Sequence, residues 1–195
     1  RMIDPSLGFD AIRSGIRASI IGGILIVVFM AIYYGILGVV LDELKTSGNK
    51  APVMLSSSVQ ATLEGRFAGS EYGKSKLEAE NMLFDYEKET GAKVLVYRFP
   101  NLAGKWCRPN YNSAVATFCN NIANDLPITV TDPSVQLELL YIDDLVDEML
   151  CALEGKEHRC EFDGIDTVLT DGGKYCAAPI THKVTLGEIV SLLES

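Results

Sequence analysis

The feature that most constrains this chain is a run of 24 residues, from Ala18 to Leu41, that contains no charged side chain. As an α-helix, a run of this length extends about 36 Å, enough to cross a bilayer core of about 30 Å. A buried core helix is the alternative, but helices that are apolar all round over this length are typical of membrane spans. The sequence therefore predicts a polar lead-in at 1–17 and a transmembrane helix at 18–41, which would place the protein in a membrane.

The remaining composition excludes several classes of protein. The chain has 195 residues and a net charge of −9, whereas nucleic-acid binders carry basic surfaces. Its histidines, His158 and His182, lie far apart in sequence, and its cysteines form no C-x-x-C pair, so we expect no metal site. We expect the cysteines to be reduced thiols in a cytosolic part of the protein, most of them in packing positions.

After a polar junction at 42–51, apolar strands alternate with amphipathic helices. The first strand, at 53–56, is followed by a helix at 71–90 and by a second buried strand at 93–98. A capping box from Thr185 to Glu188 begins the last helix. The other predicted elements are helices at 113–125 and 145–154, the latter capped by Asp143 and Asp144, and strands at 128–130, 135–141 and 159–162. This alternation predicts an α/β fold with a parallel sheet.

Tyr72 and Lys76 are four residues apart in the predicted helix, so their side chains share one face about one turn apart. An ammonium group beside a phenol favours the phenolate and lowers a pKa that is ordinarily about 10. A proton-transfer group that works near neutral pH needs such a shift. Because the same spacing occurs by chance in ordinary amphipathic helices, the pair needs support from neighbouring segments.

Two further segments are predicted to meet this helix at one edge of the sheet. The serines at 56–58 end the first strand, and a polar loop at 99–112 follows the second. Ligands bind at the carboxyl ends of parallel strands. The alternatives are ordinary: Ser58 as a turn cap, Asn101 as a turn residue, Lys105 and Arg108 as a solvated basic patch, and Trp106 as a core residue.

Several stretches together resemble the extended short-chain dehydrogenase/reductase family, the NAD(P)-dependent sugar-nucleotide epimerases, dehydratases and reductases. The likeness is greatest to the branch that reduces UDP-sugars in capsular-polysaccharide synthesis. It is carried by 50–155 and 175–195, and the family's fold is a Rossmann-like parallel sheet with a small substrate-binding lobe. The matching stretches are Pro52 to Gln60, Tyr72 to Glu80, Gly104 to Asn112, Tyr141 to Asp144 and Lys183 to Ile189.

The resemblance implies a role for each candidate residue. Tyr72 would be the acid/base, Lys76 would lower its pKa and bind the nicotinamide ribose, and Ser58, or alternatively Ser57, would hydrogen-bond the reacting oxygen. The cofactor would be NAD or NADP and the substrate a UDP-sugar. Pro100, Asn101 and Leu102 would contact the nicotinamide, with Asn101 also reaching the substrate, and Lys105 and Arg108 would bind the diphosphate.

The chain departs from the family in one respect. No glycine-rich turn precedes Ser58 between a strand and a helix, although the family holds the cofactor pyrophosphate on such a turn. We therefore expect 52–195 to be a partial domain with an incomplete cofactor site, which leaves its activity and its oligomeric state open. The alternative is a single-span membrane protein whose remaining domain binds or assembles without catalysis.

A second resemblance covers 3–42. Asp4 to Ile12, followed by Phe29 to Tyr34, is similar to a membrane segment of SecD, a subunit of the Sec protein-export translocase. In that family the carboxyl end of the helix faces the cytoplasm, which would place the soluble domain there. The arginines at 1, 13 and 17 precede the run and favour the reverse orientation, so both orientations stay open.

Overall fold

The computed structural model describes residues 35–195, so the predicted lead-in and residues 18–34 of the predicted span lie outside it. Residues 35–46 form a helix, α1, whose Leu41 is buried in the core beside the partly buried Leu37 and Leu44. Within this range no helix is both long and apolar enough to cross a membrane. The membrane helix predicted at 18–41 therefore finds no support in the described part of the chain.

The junction predicted at 42–51 is wrong in its first half, because α1 continues to residue 46. Leu37, Leu41 and Leu44 follow the i, i+4, i+7 spacing of one helix face, and that face packs on the core. Only the second half of the junction is irregular.

Eight strands and four further helices follow α1, with two short 3₁₀ turns between β1 and α2. The strands are β1 Val53–Ser58, β2 Val94–Phe99, β3 Asn101–Ala103, β4 Gln136–Tyr141, β5 Arg159–Asp163, β6 Asp166–Leu169, β7 Tyr175–Cys176 and β8 His182–Thr185. The helices are α2 Glu71–Thr90, α3 Ala114–Ala123, α4 Ile142–Leu153 and α5 Leu186–Glu194. The 3₁₀ turns cover Val59–Thr62 and Gly65–Phe67.

The larger sheet has the strand order β1-β2-β7-β5-β6. Its first three strands are parallel, as predicted, and Ser57 of β1 lies opposite Arg98 of β2. However, β5 pairs antiparallel with both β6 and β7, and a tight turn at Gly164 connects β5 to β6 as a hairpin. The α/β prediction is confirmed, but the sheet is mixed rather than wholly parallel.

A second sheet of three strands has the order β3-β4-β8 and was not predicted as a separate unit. Its first strand, β3, lies inside the segment 99–112 that was predicted to be a loop, and it pairs parallel with β4. The strand predicted at 128–130 is wrong, since those residues have no regular structure. Asn101 and Leu102 follow the end of β2 directly along the chain, and the pairing of β3 with β4 fixes their position.

Strand β2 forms the centre of the core, and all six of its residues are buried. Val94 and Val96 face a cluster that includes Leu83 of α2, whereas Leu95 and Tyr97 face a second cluster on the other side. The alternation follows from the pleat of a strand covered on both faces.

The helix ends are set by local hydrogen bonds. Ser70 caps α2 by accepting from the Gly73 backbone N–H at 2.9 Å, and the predicted capping box of α5 is confirmed. The caps predicted for α4 are wrong: this helix begins at Ile142 after Tyr141, so Asp143 and Asp144 lie in its first turn. Carboxylates there are favoured by the positive end of the helix dipole.

Candidate active site

Tyr72 and Lys76 lie in the first half of α2, on the side that faces the carboxyl end of β1. The Lys76 ammonium nitrogen is 5.5 Å from the centroid of the Tyr72 ring. It also donates to the backbone carbonyl of Ser56 at 3.4 Å. Tyr72 is 52 % exposed. The structure therefore brings this predicted pair together.

The serines that end β1 differ in how their hydroxyl groups are used. Ser57 is buried, and its hydroxyl donates to a carboxylate oxygen of Glu80 at 2.5 Å. The Ser58 hydroxyl oxygen accepts from the backbone N–H of Gln60 at 3.3 Å. Accepting that bond leaves the Ser58 hydroxyl proton available as a donor. The turn-cap interpretation of Ser58 is thus confirmed, and it is compatible with a role in the site.

A close backbone contact holds the residues after Ser58 against α2. A Cβ atom placed on Gly73 would lie 2.1 Å from the Gln60 carbonyl oxygen, so only glycine fits there. The side chains of Ser70 and Gln60 are joined by a further hydrogen bond of 2.8 Å. These contacts fix the segment between the serines and Tyr72.

A cleft of about 570 Å³ opens beside these residues. Its volume lies within the range that is usual for small-molecule sites. The predicted residues that line it are Ser57, Ser58, Tyr72, Pro100, Asn101, Leu102 and Arg108.

Arg66 and Tyr111 are among the lining residues to which the sequence interpretation assigned no role. Arg66, in the second 3₁₀ turn, lines the cleft and donates to the Gln136 carbonyl at 3.3 Å. Tyr111 is 79 % exposed and lies under the Arg108 guanidinium, which is 5.8 Å from its ring centroid. The sequence signal that could have indicated these residues is the closeness of aromatic and cationic side chains at 66–72 and 105–111. The cleft therefore combines two guanidinium groups with two phenols.

Lys105 and Trp106 do not line this cleft. The Lys105 ammonium group forms a 2.7 Å ion pair with Asp143, and the hydrogen bond that it donates to this carboxylate raises the pKa of Lys105. Trp106 is 99 % exposed, so its interpretation as a core residue is wrong. A positive φ of 65° at Trp106 turns the loop between these residues and Arg108.

The residues that the structure describes suit the nicotinamide end of a dinucleotide better than its pyrophosphate. Tyr72 and Asn101 offer polar groups beside the lining residues Pro100 and Leu102, and Lys76 adds an ammonium group near the Tyr72 ring. Within 35–195 there is no G-x-G-x-x-G or G-x-x-G-x-x-G pattern of the kind that holds a pyrophosphate at a helix N-terminus.

Comparison with known proteins identifies the class to which this fold and site belong. The model of the NAD dependent epimerase/dehydratase family matches residues 40–161. The chain belongs to this family.

Two proteins show more specifically what this chain is similar to within the family. The chain is 42% identical, over 115 residues, to UDP-2-acetamido-2,6-beta-L-arabino-hexul-4-ose reductase from Pseudomonas aeruginosa, covering 59% of this chain and 30% of that protein. The structure of the capsular polysaccharide assembling protein CapF from Staphylococcus aureus matches with a TM-score of 0.66 and 44% identity, over 81% of this chain and 38% of that one. The chain thus spans less than two-fifths of the length of either relative.

A separate, short match relates the chain to the protein translocase subunit SecD of Syntrophobacter fumaroxidans. The identity is 55% over 42 residues, which is 22% of this chain and 8% of SecD. A likeness over so small a part of SecD carries no export activity with it.

Proposed function

We propose that this chain supplies the acid/base and substrate side of an NAD(P)-dependent reductase or epimerase that acts on the carbonyl of a UDP-linked sugar. The observation that carries the proposal is that Tyr72 and Ser58 line one cleft, with the Lys76 ammonium group 5.5 Å from the centroid of the Tyr72 ring. These residue types match the family's chemistry, and the cleft has room for a sugar ring.

In the reducing direction, the Tyr72 phenol gives its proton to the substrate carbonyl oxygen. The Lys76 ammonium group stabilises the phenolate that forms. The free proton of Ser58 donates to the same oxygen and stabilises the negative charge that develops there. NAD(P)H, when bound, would supply the hydride to the carbonyl carbon, so that the C=O group would become CH–OH.

The geometry favours Ser58 over Ser57 for this role, since the Ser57 hydroxyl is already donated to a buried carboxylate. For the diphosphate, it favours Arg108 over Lys105. Arg108 lines the cleft, whereas Lys105 is paired with Asp143. Arg66 is a second cation on the cleft wall, and planar guanidinium groups bind phosphate oxygens in pairs.

The relative in Pseudomonas aeruginosa supports a choice of sugar class, because its name describes a UDP-linked sugar with a ketone at position 4. We propose a 4-keto UDP-sugar for this chain also.

The test is oxidation of NADH or NADPH by the full chain in the presence of a UDP-4-keto-sugar, followed at 340 nm. We expect turnover with one of the two cofactors, and we expect Tyr72→Phe to lower kcat by about 100-fold or more because the proton donor is lost. Nicotinamide fluorescence gives the cofactor affinity, which Tyr72→Phe should leave nearly unchanged.

Tyr86→Phe is the matched control. Tyr86 lies on the same helix, but its hydroxyl donates to the Asn49 carbonyl at 3.3 Å, away from the cleft. The control should retain wild-type kcat. Equal rates for wild type and Tyr72→Phe, or no cofactor binding by the full chain at millimolar concentration, would contradict the proposal.

A further inference from the structure

Three residues on α2 face the carboxyl end of β1. Tyr72, Lys76 and Glu80 follow one another at intervals of four, so they form a stripe that advances about 6 Å per step along the helix. Two of them bind adjacent strand residues. Lys76 donates to the Ser56 carbonyl, and Glu80 accepts from the Ser57 hydroxyl.

Glu80 is fully buried and is held on its other side by Arg98. The Arg98 Nε and Nη2 atoms lie 2.9 and 2.6 Å from the two carboxylate oxygens of Glu80, a forked pair. Arg98 is itself only 7 % exposed. Its guanidinium carbon lies 4.0 Å from the centroid of the Tyr175 ring, which fixes the plane of the fork.

A buried carboxylate is costly, and a buried ion pair adds little net stability compared with apolar packing. The Glu80–Arg98 pair therefore calls for a reason beyond stability. Its position supplies one: the bond from Ser57 attaches the pair to the residue between Ser56 and Ser58, both of which contact the proposed catalytic groups or the cleft.

We propose that Glu80, oriented by Arg98, is a positioning residue that acts through Ser57 to hold the serine end of β1 in register with Tyr72 and Lys76. The inference rests on the proposed function for its catalytic meaning. The physical clamp, from the Arg98 fork through Glu80 to the Ser57 hydroxyl, does not depend on any substrate.

The sharpest variant is Ser57→Ala, which removes the link and leaves the Glu80–Arg98 pair in place. With the link gone, only the backbone pairing with β2 holds the end of β1, and we expect the 3.4 Å contact between the Ser56 carbonyl and the Lys76 ammonium group to loosen. We therefore expect the pKa of the Tyr72 phenol to rise by about half a unit or more in Ser57→Ala relative to wild type. The measurement is a pH titration of the full chain labelled with ¹³Cζ-tyrosine, with the Tyr72 signal assigned from Tyr72→Phe.

Tyr97→Phe is the matched control, because Tyr97 also donates its hydroxyl to a buried glutamate, Glu148, at 2.7 Å but on the other side of β2. It should lower stability without moving the Tyr72 titration. Ser57→Thr keeps a hydroxyl and should restore the wild-type titration. If Ser57→Ala fails to fold, Ser57→Val provides the second variant, because it has the shape of Ser57→Thr without the hydroxyl, and it should show the same rise.

The titration and the kinetics separate the two proposals. In the reductase assay, Ser57→Ala should lower kcat about tenfold with little change in KM, since a positioning loss acts on the transition state. A wild type without turnover would count against the proposed function, while the titration would still test the clamp. A Tyr72 titration that is the same in Ser57→Ala and wild type would overturn the clamp, whatever the activity.

Discussion

Two buried glutamates, Glu80 and Glu148, lie on opposite sides of the central strand β2, and each binds one of two adjacent residues of that strand. Glu80, on α2, binds Arg98 in a fork and accepts from Ser57. Glu148, on α4, accepts from the Tyr97 hydroxyl at 2.7 Å and lies 2.5 Å from the Nδ1 atom of His158. Both carboxylates are shielded from solvent.

The difference between the two sides is the nature of the partners. Glu80 faces a permanent cation that is almost wholly buried, and its remaining bond reaches the proposed active site. Glu148 faces a half-exposed imidazole and also accepts from the His158 backbone N–H at 3.1 Å, so it ties α4 to the start of β5. A buried glutamate thus supports the proposed active site on one side of β2 and the packing of α4 on the other.

The largest expected effect comes from removing the basic partner of each glutamate. Arg98→Met leaves Glu80 buried without its counter-charge, which should lower the free energy of unfolding by about 3–5 kcal/mol. His158→Ala should cost about 1–2 kcal/mol, because Glu148 keeps the Tyr97 hydroxyl and a backbone N–H. Urea unfolding of the two variants measures both losses, and equal losses would show that the two glutamates are equivalent.

The second prediction concerns the close contact on the Glu80 side. Alanine normally stabilises an exposed helix position relative to glycine by about 1 kcal/mol. Gly73→Ala should instead destabilise by about 1–3 kcal/mol, because its Cβ would overlap the Gln60 carbonyl. Gly69→Ala is the control, since a Cβ there meets nothing within 4 Å. A thermal melt in which Gly73→Ala is as stable as wild type would refute the contact.

The smallest expected effect is on the pH dependence of the free energy of unfolding, and it comes from one buried thiol on each side of β2. Burial raises the pKa of Cys160, on the Glu80 side, to about 12, and that of Cys176, on the Glu148 side, to about 11. The folded values lie above the unfolded value of about 8.5, so burial of the neutral thiols contributes stability that is full below pH 8.5 and is lost as the pH rises through 11 and 12.

The free energy of unfolding should therefore fall from pH 8.5 upward, and less steeply in the double variant Cys160→Ala and Cys176→Ala. Iodoacetamide at pH 8 should label the exposed Cys107 and Cys119 first. Labelling of Cys160 before Cys107 would show that the core opens more readily than the structure implies.

The sequence was sufficient to predict those features whose signal comes from neighbouring residues. The helix 71–90, its stop at Gly91 and the shared face of Tyr72 and Lys76 follow from periodicity and capping, and each is present. The buried strand at 93–98 was equally clear, because an unbroken run of apolar and aromatic residues, Val94 to Tyr97, lies between Lys93 and Arg98.

The sequence was insufficient to predict contacts between side chains that are far apart along the chain. Glu80 and Arg98 are ordinary charged residues until the sheet brings helix and strand together. Lys105 was assigned to a phosphate because Asp143, 38 positions away, could not be identified as its partner. The membrane prediction depended on an uncharged run, yet Leu37 and Leu41 at its end pack on the core.

The most direct test of the central claim, that the cleft beside Tyr72 and Ser58 binds a sugar nucleotide, is a titration of the ¹⁵N-labelled full chain with UDP, followed by amide chemical shifts. A binding constant near 1 mM or tighter is sufficient for detection. We predict that the shifts cluster at Ser58, Asn101 and Arg108 and spare the polar pocket beside His158 and Asp171. Shifts centred on that second pocket, or none at all, would contradict the account.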